Sequence, residues 1–199
     1  MSLSLIWIKR NSQQEDSFLE EYLDLFKDFQ LEKIVVGHTS LVRDDFTYIP
    51  FHEFGLDEMG LICHKKNIGV LASSSDYCLV MHCDVRPSLS FFSEFEKMEQ
   101  TLNDNTVYCL IGEGENGERS LTWCLYAGKH KNIDEDFCNN SYISGGCLLA
   151  SKKLLKKYTW NQELKHNQEE DYEFSKRLNS FGVSLKCCKN LKVIMKNSQ

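Results

Sequence analysis

The sequence predicts one α/β domain with three layers and a mostly parallel central sheet, and three observations support that prediction. Through the first half of the chain, short apolar runs rich in β-branched residues alternate with stretches at helical spacing, the pattern of strands joined by helices. The run from Tyr77 to Met81 is apolar throughout, as expected of a central strand covered on both faces. The 199 residues, of which 42% are apolar, fit one domain with a sizeable core.

The first half of the chain contains the clearest elements. Ser12, with Glu15 three residues later, forms a capping pair that predicts the start of a long helix. Pro50 should end a short strand, and Pro87 stands where a further helix can begin. The predicted strands are 3–8, 32–37, 46–49 and 77–81, and the predicted helices are 12–29, 57–73 and 89–102.

The second half is predicted to contain more strands and two further helices. Gly182 follows the second of these helices directly and is a signal for its end. A polar stretch at 128–141 is expected to be a loop. The predicted strands are 107–112, 121–126, 142–150, 183–185 and 191–195, and the predicted helices are 152–158 and 169–181.

Charge and hydropathy exclude several classes of partner. The net charge of -6 and the pI near 5.5 argue against nucleic acid, because binding to phosphates needs a basic surface. No apolar run approaches the roughly 20 residues that a transmembrane helix needs. The N-terminal apolar stretch is too short for a signal peptide and has no small-residue cleavage site. We therefore expect a cytoplasmic protein without a transmembrane segment, for which peripheral contact with a membrane stays open.

The nine cysteines include no C-x-x-C pair, and most of them lie inside apolar runs. This pattern predicts free, reduced and buried thiols and disfavours a structural zinc site. The neighbouring Cys187 and Cys188 should point to opposite faces if they lie on a strand.

The first candidate for chemistry is His82-Cys83-Asp84, at the exit of the buried strand 77–81. In an open α/β sheet, ligands bind outside the carboxyl ends of the strands. An imidazole and a carboxylate two residues apart can face the same way and hold a divalent cation, which would bridge the phosphates of a nucleotide diphosphate. The alternative is that Asp84 caps the helix after Pro87 and that His82 is a hydrogen-bonded turn residue.

Three other segments also allow a functional and a structural interpretation. Asp171, among the carboxylates that open the helix at 169–181, could accept a proton from an attacking hydroxyl or could interact only with the helix dipole. The pair Gly145-Gly146 permits close approach of a ligand to the backbone, or a bulge. Lys66 could reach a diphosphate or lie on a solvated helix face.

Four segments resemble, in this order along the chain, the motifs of family 2 glycosyltransferases of the GT-A fold. They are Lys66–Ala72 with Asn67 and Gly69, Asp76–Pro87 with His82 and Asp84, Ile143–Ala150 with its glycine pair, and Trp160–Leu178 with Glu170 and Asp171. The resemblance covers roughly residues 60–180. His82 stands where the family usually has the first acid of its D-x-D motif.

The resemblance implies a single GT-A-like domain over residues 1–199, with a nucleotide-binding half at 1–87 and an acceptor-side half at 88–199. The implied activity is transfer of a sugar from a nucleotide-sugar donor to a glycan or lipid-linked acceptor, with inversion and with help from Mn²⁺ or Mg²⁺. The implied roles are metal binding by Asp84 and His82; donor binding by Lys66, Asn67, Asp76, Asp84, Gly145 and Gly146; catalysis by Asp171 as base with Glu170 beside it; and acceptor binding by Trp160 and Asn161.

Two other functions remain open from the sequence. Because His82 replaces an acid, the domain could bind a sugar nucleotide or glycan without turnover. A nucleotidyltransferase would need a Gly-rich, basic loop after the first strand, and residues 9–16 do not supply one.

Overall fold

The computed structural model describes residues 2–9, 13–51, 61–98, 100–120, 122–126, 129–164 and 168–196. These ranges contain five helices and eleven strands. In chain order they are β1 (Leu3–Ile8), α1 (Gln13–Leu25), β2 (Glu32–Gly37), β3 (Thr47–Pro50), α2 (Ile62–Ala72), β4 (Tyr77–His82), β5 (Val85–Pro87), α3 (Phe91–Met98), β6 (Thr106–Gly114), β7 (Trp123–Leu125), β8 (Lys129–His130), β9 (Ser141–Ile143), β10 (Cys147–Ser151), α4 (Lys152–Lys157), α5 (Glu170–Ser180) and β11 (Ser184–Met195).

The main sheet has eight strands in the order β3-β2-β1-β4-β10-β6-β11-β5. Strands β3, β2, β1 and β4 run parallel to one another, and β6 and β11 are also a parallel pair. Strand β10 is antiparallel to both β4 and β6, and β5 is antiparallel to β11 at the sheet edge. This arrangement confirms the predicted mostly parallel central sheet.

Two hydrophobic clusters cover the two faces of this sheet and create the three layers. Along β4, Leu79 and Met81 point into the cluster formed with α1 and α3, whereas Cys78 and Val80 point into the cluster formed with α2, α4 and α5. Both faces of β4 are buried, which is why its sequence is apolar without alternation. At Gly69 of α2, a β-carbon would lie only 2.5 Å from Cγ2 of Ile6, so this glycine allows α2 to pack closely on β1.

Three predicted elements in the second half of the chain differ in the structure. Residues 142–150 form two strands, because the chain leaves a small sheet of order β8-β7-β9 through Ser144–Gly146 and enters the main sheet as β10. The segment 128–141, expected to be a loop, contributes β8 and the start of β9 to that small sheet. Residues 183–195, predicted as two strands, form the single strand β11 with a register shift between Cys188 and Lys192.

The helix expected directly after Pro87 begins instead at Phe91, because Val85–Pro87 pairs with β11 as an edge strand. A proline is tolerated at a sheet edge, where its missing N–H breaks no ladder. Gly182 follows the end of α5 with a φ of 75°, which confirms the prediction that this glycine ends the helix. Ser12 of the predicted capping pair lies outside the described residues.

All nine cysteines are free. Cys188 belongs to the cluster with α1 and α3, whereas Cys187 packs against the opposite cluster, which confirms that the two thiols face opposite ways. Within the described part of the chain, no helix has both the length and the apolar character needed to span a bilayer.

Candidate functional site

The candidate site lies at the carboxyl edge of the main sheet, where β1, β2 and β4 end and β10 begins. The last residues of β1 and β4, Ile8 and His82, are register partners. On the other side of β4, the backbone N–H of His82 donates to the carbonyl oxygen of Gly146 at 3.0 Å. The His82 segment and the glycine pair, which are 64 residues apart in sequence, are thus direct neighbours.

Lys66, Asp171 and Gly145 form the centre of this site. The ammonium of Lys66 on α2 lies 3.4 Å from Oδ1 of Asp171 on α5, and the Lys66 side chain is completely buried. Oδ2 of Asp171 accepts a hydrogen bond of 2.6 Å from the backbone N–H of Gly145. A buried ammonium needs a partner because leaving water is costly for a charge. Asp171 supplies it and keeps 23% of its own side chain exposed.

Gly145 has no room for a side chain in this arrangement. A β-carbon at position 145 would lie 2.6 Å from the carboxylate carbon of Asp171 and would also contact the Lys66 ammonium. At Gly146 a β-carbon would lie 3.7 Å from Oγ of Ser144, an ordinary packing distance. The group that approaches Gly145 closely is thus the protein's own Asp171 carboxylate, and approach of a ligand to the glycine pair stays a prediction.

Trp160 and Asn67 support the site from within the core. The Trp160 ring is 1% exposed and stacks on Phe174, with centroids 4.5 Å apart and an interplanar angle of 13°. Asn67 holds the Trp160 backbone through two hydrogen bonds, from Nδ2 to the Trp160 carbonyl at 3.0 Å and from the Trp160 N–H to Oδ1 at 2.9 Å. The Lys66 ammonium lies 5.6 Å from the Trp160 ring centroid. Both residues thus have internal packing roles, and acceptor binding by Trp160 and donor binding by Asn67 stay predictions.

His82 and Asp84, the two predicted metal ligands, flank Cys83 between β4 and β5. His82 continues the face of β4 that carries Cys78 and Val80, which is the face covered by α2 and α5. Asp84 precedes β5, and its carbonyl accepts from the Lys196 N–H at 2.8 Å. Since the next helix begins only after β5, Asp84 is not its cap.

The imidazole of His82 and the carboxylate of Asp84 would suit a cation whose other ligands are substrate phosphates and water. Among the described residues no three His, Cys, Asp or Glu side chains cluster closely enough to hold a metal ion. Mg²⁺ is commonly bound by one or two protein carboxylates together with substrate phosphates and water. One carboxylate and one imidazole fit such a shared site, and they do not fit a site formed by protein ligands alone.

A second charged group, which the sequence analysis missed, lies at the ends of β1 and β2. The ammonium of Lys9 is 3.2 Å from Oδ1 of Asp16, and that of Lys65 donates to the Lys9 carbonyl at 3.0 Å. Both lysines are at most 2% exposed. Burial alone would raise the pKa of Asp16, but hydrogen bonds from Thr39 and Ser40 and the charge of Lys9 lower it. The signal was present in the sequence, because Lys9 directly follows the predicted strand 3–8 and Thr39 lies two residues after the predicted strand 32–37.

A third group, also missed, consists of tyrosines beside the start of α5. The Tyr126 hydroxyl donates to Oε1 of Glu169 at 2.6 Å, and its ring centroid lies 5.0 Å from that of Tyr172. Tyr142 approaches Tyr172 at 6.2 Å. Glu169 has a φ of 59°, which is unusual for a residue other than glycine, and it directly precedes Glu170 and Asp171. The pattern of single tyrosines in separate elements offered no local signal for this cluster.

The remaining predicted residues are distributed around and away from the site. Glu170 is 7% exposed in the first turn of α5. Asn161 accepts a hydrogen bond at Oδ1 from the Glu163 N–H at 3.1 Å, which stabilises the turn after Trp160. Asp76 lies at the opposite, amino edge of the sheet, where it accepts hydrogen bonds from the backbone N–H and the hydroxyl of Ser2. The structure therefore separates Asp76 from the other predicted donor-binding residues.

Comparisons with known proteins show the fold. No protein-family model matches the sequence, and no curated protein matches it in sequence. The structure is similar to the crystal structure of GalNAc-T7 with UDP, GalNAc and Mn²⁺, with a TM-score of 0.72 and 8% identity, over 99% of this chain and 44% of that chain. It is also similar to S. aureus TarS 1-349, with a TM-score of 0.69 and 16% identity, over 98% of this chain and 60% of that chain.

A second TarS structure, in complex with UDP-GlcNAc, matches with a TM-score of 0.68 and 16% identity, over 100% of this chain and 59% of that chain. The chain thus spans between 44% and 60% of the length of these solved structures. The predicted GT-A-like fold is confirmed by these similarities.

Proposed function

We propose that this domain is a glycosyltransferase that binds a nucleotide-sugar donor at the carboxyl edge of its sheet and transfers the sugar to an acceptor hydroxyl. The observation that carries the proposal is the buried Lys66 ammonium, paired with the Asp171 carboxylate, which also accepts from the Gly145 N–H where β10 meets the end of β4. Membership of glycosyltransferase family 2, inversion at the anomeric carbon and assistance by a metal ion are parts of the same proposal.

Buried charge at a strand end supports donor binding. The side chains of Lys9, Lys65 and Lys66 are at most 2% exposed, and all three lie at the edge where α/β folds bind ligands. A domain does not gain stability from buried lysines, since their desolvation offsets the attraction of their partners. A diphosphate would use the positive potential that they create. The solved structures of similar fold contain UDP or UDP-GlcNAc, so uridine nucleotides are the first donors to test.

His82 and Asp84 would hold a Mn²⁺ or Mg²⁺ ion together with the donor phosphates. When bound, the ion would stabilise the negative charge that develops on the departing nucleoside diphosphate. The GalNAc-T7 structure of similar fold contains Mn²⁺. The chain itself would contribute one imidazole nitrogen and one carboxylate oxygen.

Asp171 would act as the general base. Its Oδ2 accepts from Gly145 and its Oδ1 faces Lys66, and each carboxylate oxygen keeps a further lone pair for the acceptor hydroxyl. The two contacts orient the carboxylate, and proton transfer to an oriented base contributes about 10²- to 10⁴-fold to a rate. Glu170 lies beside it in the first turn of α5 and would contact the acceptor.

The second candidate function is binding of a sugar nucleotide or glycan without turnover. His82 in place of an acid favours it, because a single carboxylate is a weaker ligand set for a divalent cation.

Thermal unfolding with UDP, UDP-GlcNAc and UDP-GalNAc, each with and without MnCl₂, tests donor binding. One nucleotide should raise the melting temperature in a metal-dependent way, since a ligand at 100 times its Kd stabilises the folded state by about 2.7 kcal/mol. Stabilisation by none of these ligands contradicts both candidate functions for uridine donors. Asp76→Asn is the matched control, because Asp76 lies at the other edge and its variant should respond as the wild type does.

Turnover separates the two functions. Asp171→Asn should retain nucleotide binding and lose donor transfer or hydrolysis by about 10²- to 10⁴-fold. Unchanged turnover in Asp171→Asn removes Asp171 as the base. Binding without turnover in the wild type, across a panel of saccharide acceptors, favours the binding domain.

A further inference from the structure

Helix α4 carries four lysines in six residues, Lys152–Lys157. The Ser151 hydroxyl caps the helix by accepting from the Leu154 N–H at 3.2 Å. The two leucines of α4, Leu154 and Leu155, are 4% and 1% exposed and anchor the helix in the core. Lys153, Lys156 and Lys157 are exposed. The helix is therefore held firmly while its charges face solvent.

These exposed lysines are not neutralised by the protein. Among the described residues, no carboxylate forms an ion pair with Lys153, Lys156 or Lys157. Two exposed lysines elsewhere do have such a partner, Lys97 in Glu94 and Lys189 in Asp134. In a chain with a net charge of -6, this is a local concentration of positive charge.

Large apolar side chains border these lysines. Phe181 is 59% exposed and stacks on Tyr158 with centroids 5.3 Å apart, and the Lys157 ammonium lies 4.8 Å from the Tyr158 centroid. Leu71, 58% exposed, lies near the end of α2, the helix that packs against α4. We call the set formed by Lys152, Lys153, Lys156, Lys157, Tyr158, Phe181 and Leu71 the α4 surface.

Three of the lysines also line an open cleft of about 790 Å³ at the amino edge of the sheet. Ser74, Ser75 and Ser151 line the same cleft and add hydroxyl groups. Its two carboxylates are engaged elsewhere: Asp76 accepts from Ser2, and Asp104 accepts from the Tyr77 hydroxyl at 3.2 Å. Ammonium and hydroxyl groups around an open space suit a phosphate group.

We propose that the α4 surface binds an anionic lipid bilayer, with the lysines on the headgroup phosphates and Phe181 in the apolar boundary below them. A bilayer presents negative charge over an apolar interior, and the α4 surface presents positive charge beside exposed apolar side chains. A nucleic acid or an acidic peptide would use the lysines but would gain less from Phe181 and Leu71. The remaining acidic surface does not prevent approach, because charges more than about 8 Å away are largely screened at physiological salt.

Vesicle sedimentation tests this proposal. The wild type should bind vesicles of phosphatidylcholine mixed with phosphatidylglycerol, should not bind phosphatidylcholine alone, and should dissociate at about 1 M salt, where the screening length falls to about 3 Å. Each lysine near an anionic surface is worth about a fivefold change in partitioning, so Lys153→Glu/Lys156→Glu should weaken binding by about 25-fold or more. Lys27→Glu/Lys97→Glu is the matched control on other exposed lysines and should bind like the wild type.

A fluorescence variant tests the apolar contact. The three tryptophans are at most 1% exposed, so Phe181→Trp would introduce an indole in a distinct, solvent-exposed position. Its emission should shift to shorter wavelength with the anionic vesicles and stay unchanged with phosphatidylcholine alone. Unchanged melting temperatures would show that each variant is folded.

Several results would overturn the proposal. They are no sedimentation of the wild type with anionic vesicles, equal losses in the two double variants, or binding of Phe181→Trp without a spectral shift. Binding to soluble polyglutamate or to a DNA duplex in place of vesicles would identify an acidic protein or a nucleic acid as the partner class and would also overturn it.

Discussion

The two edges of the central sheet carry charged side chains in opposite ways. At the carboxyl edge, Lys9, Lys65 and Lys66 are buried and are held by carboxylates or by a backbone carbonyl. At the amino edge the charged groups are largely in contact with water: Asp76 is exposed, and Glu32 accepts hydrogen bonds from the backbone N–H and hydroxyl of Ser74 at 2.9 Å each.

This difference indicates at which edge the protein loses folding stability for the sake of ligand binding. Burying an ammonium is expensive unless its partners are well placed, and a hydrophobic residue of similar volume is often as stable. Exposed carboxylates that close turns need no such compensation. The carboxyl edge is thus expected to sacrifice stability for ligand binding, whereas the carboxylates of Glu32 and Asp76 at the amino edge serve the fold.

The largest expected effect follows from removing the buried ammonium. Lys66→Met leaves the Asp171 carboxylate without its cation beside Gly145 and should lower the free energy of unfolding by about 2 to 4 kcal/mol, measured by urea denaturation. Adding Asp171→Asn to this variant removes the uncompensated charge and should recover part of that loss, as a double-mutant cycle would show.

Measurement of turnover shows whether Lys66 and Asp171 serve the donor site or only the fold. If Lys66 and Asp171 serve the donor site, the double variant regains stability and stays inactive. A double variant that is as active as the wild type would show that the pair is structural, and would remove the contrast between the two edges.

The next effect concerns the glycine pair. Gly145→Ala should destabilise the fold by about 1 to 3 kcal/mol and reduce nucleotide binding, because its β-carbon would displace the Asp171 carboxylate. Gly146→Ala is the matched control, since its β-carbon meets only ordinary contacts of 3.7 and 3.8 Å. Comparable losses in both variants, by thermal unfolding and nucleotide titration, would contradict the close approach at Gly145.

The smallest effect is expected at the amino edge. Burial raises the pKa of Glu32, but hydrogen bonds from Ser4 and Ser74 outweigh it, and the pKa lies below its usual value. A carboxyl with a lowered folded-state pKa stabilises the fold above its unfolded pKa of about 4.3, and that contribution is lost as the pH falls through the folded pKa.

Glu32→Gln should therefore cost only about 0.5 to 1 kcal/mol at neutral pH, after allowance for solvent screening. Between about pH 6 and pH 3, the wild type should lose more of its melting temperature than the variant does. Nucleotide binding should be unchanged, because Glu32 lies at the other end of the sheet. Equal pH dependence in the two proteins would show that the lowered pKa is not coupled to folding.

The pattern of the first half of the chain was sufficient to predict β1, β2, β3 and β4, whereas the edge strand β5 was missed. Strands β1, β2 and β4 are central and apolar on both faces, and local composition distinguishes such strands from their surroundings. The second half was harder. Residues 142–150 were predicted as one strand, but Ser144–Gly146 divide them between β9 of the small sheet and β10 of the main sheet.

The residues of the candidate site also divide into those that the sequence indicated and those that it did not. Asp171, Lys66, Gly145 and His82 could be selected as polar or small residues next to apolar elements, and the structure brings them to one edge. Asp76 and Trp160 had the same kind of local signal, but one lies at the far edge and the other is buried against Phe174. The tyrosines around Glu169 were missed because Tyr126 and Glu169 are distant in sequence, whereas Lys9 was missed although it directly follows a predicted strand and its partner Asp16 is near in sequence.

By itself, the sequence determined the alternation of strands and helices, the mostly parallel sheet and the edge at which polar residues follow strands, since each depends on local periodicity. Tertiary structure decided which of those residues meet. A carboxylate from α5, an ammonium from α2 and a backbone N–H before β10 come together only when both layers pack on the sheet. The physical reason is that a buried ion pair is specified by distances between elements, and those distances are absent from any local pattern.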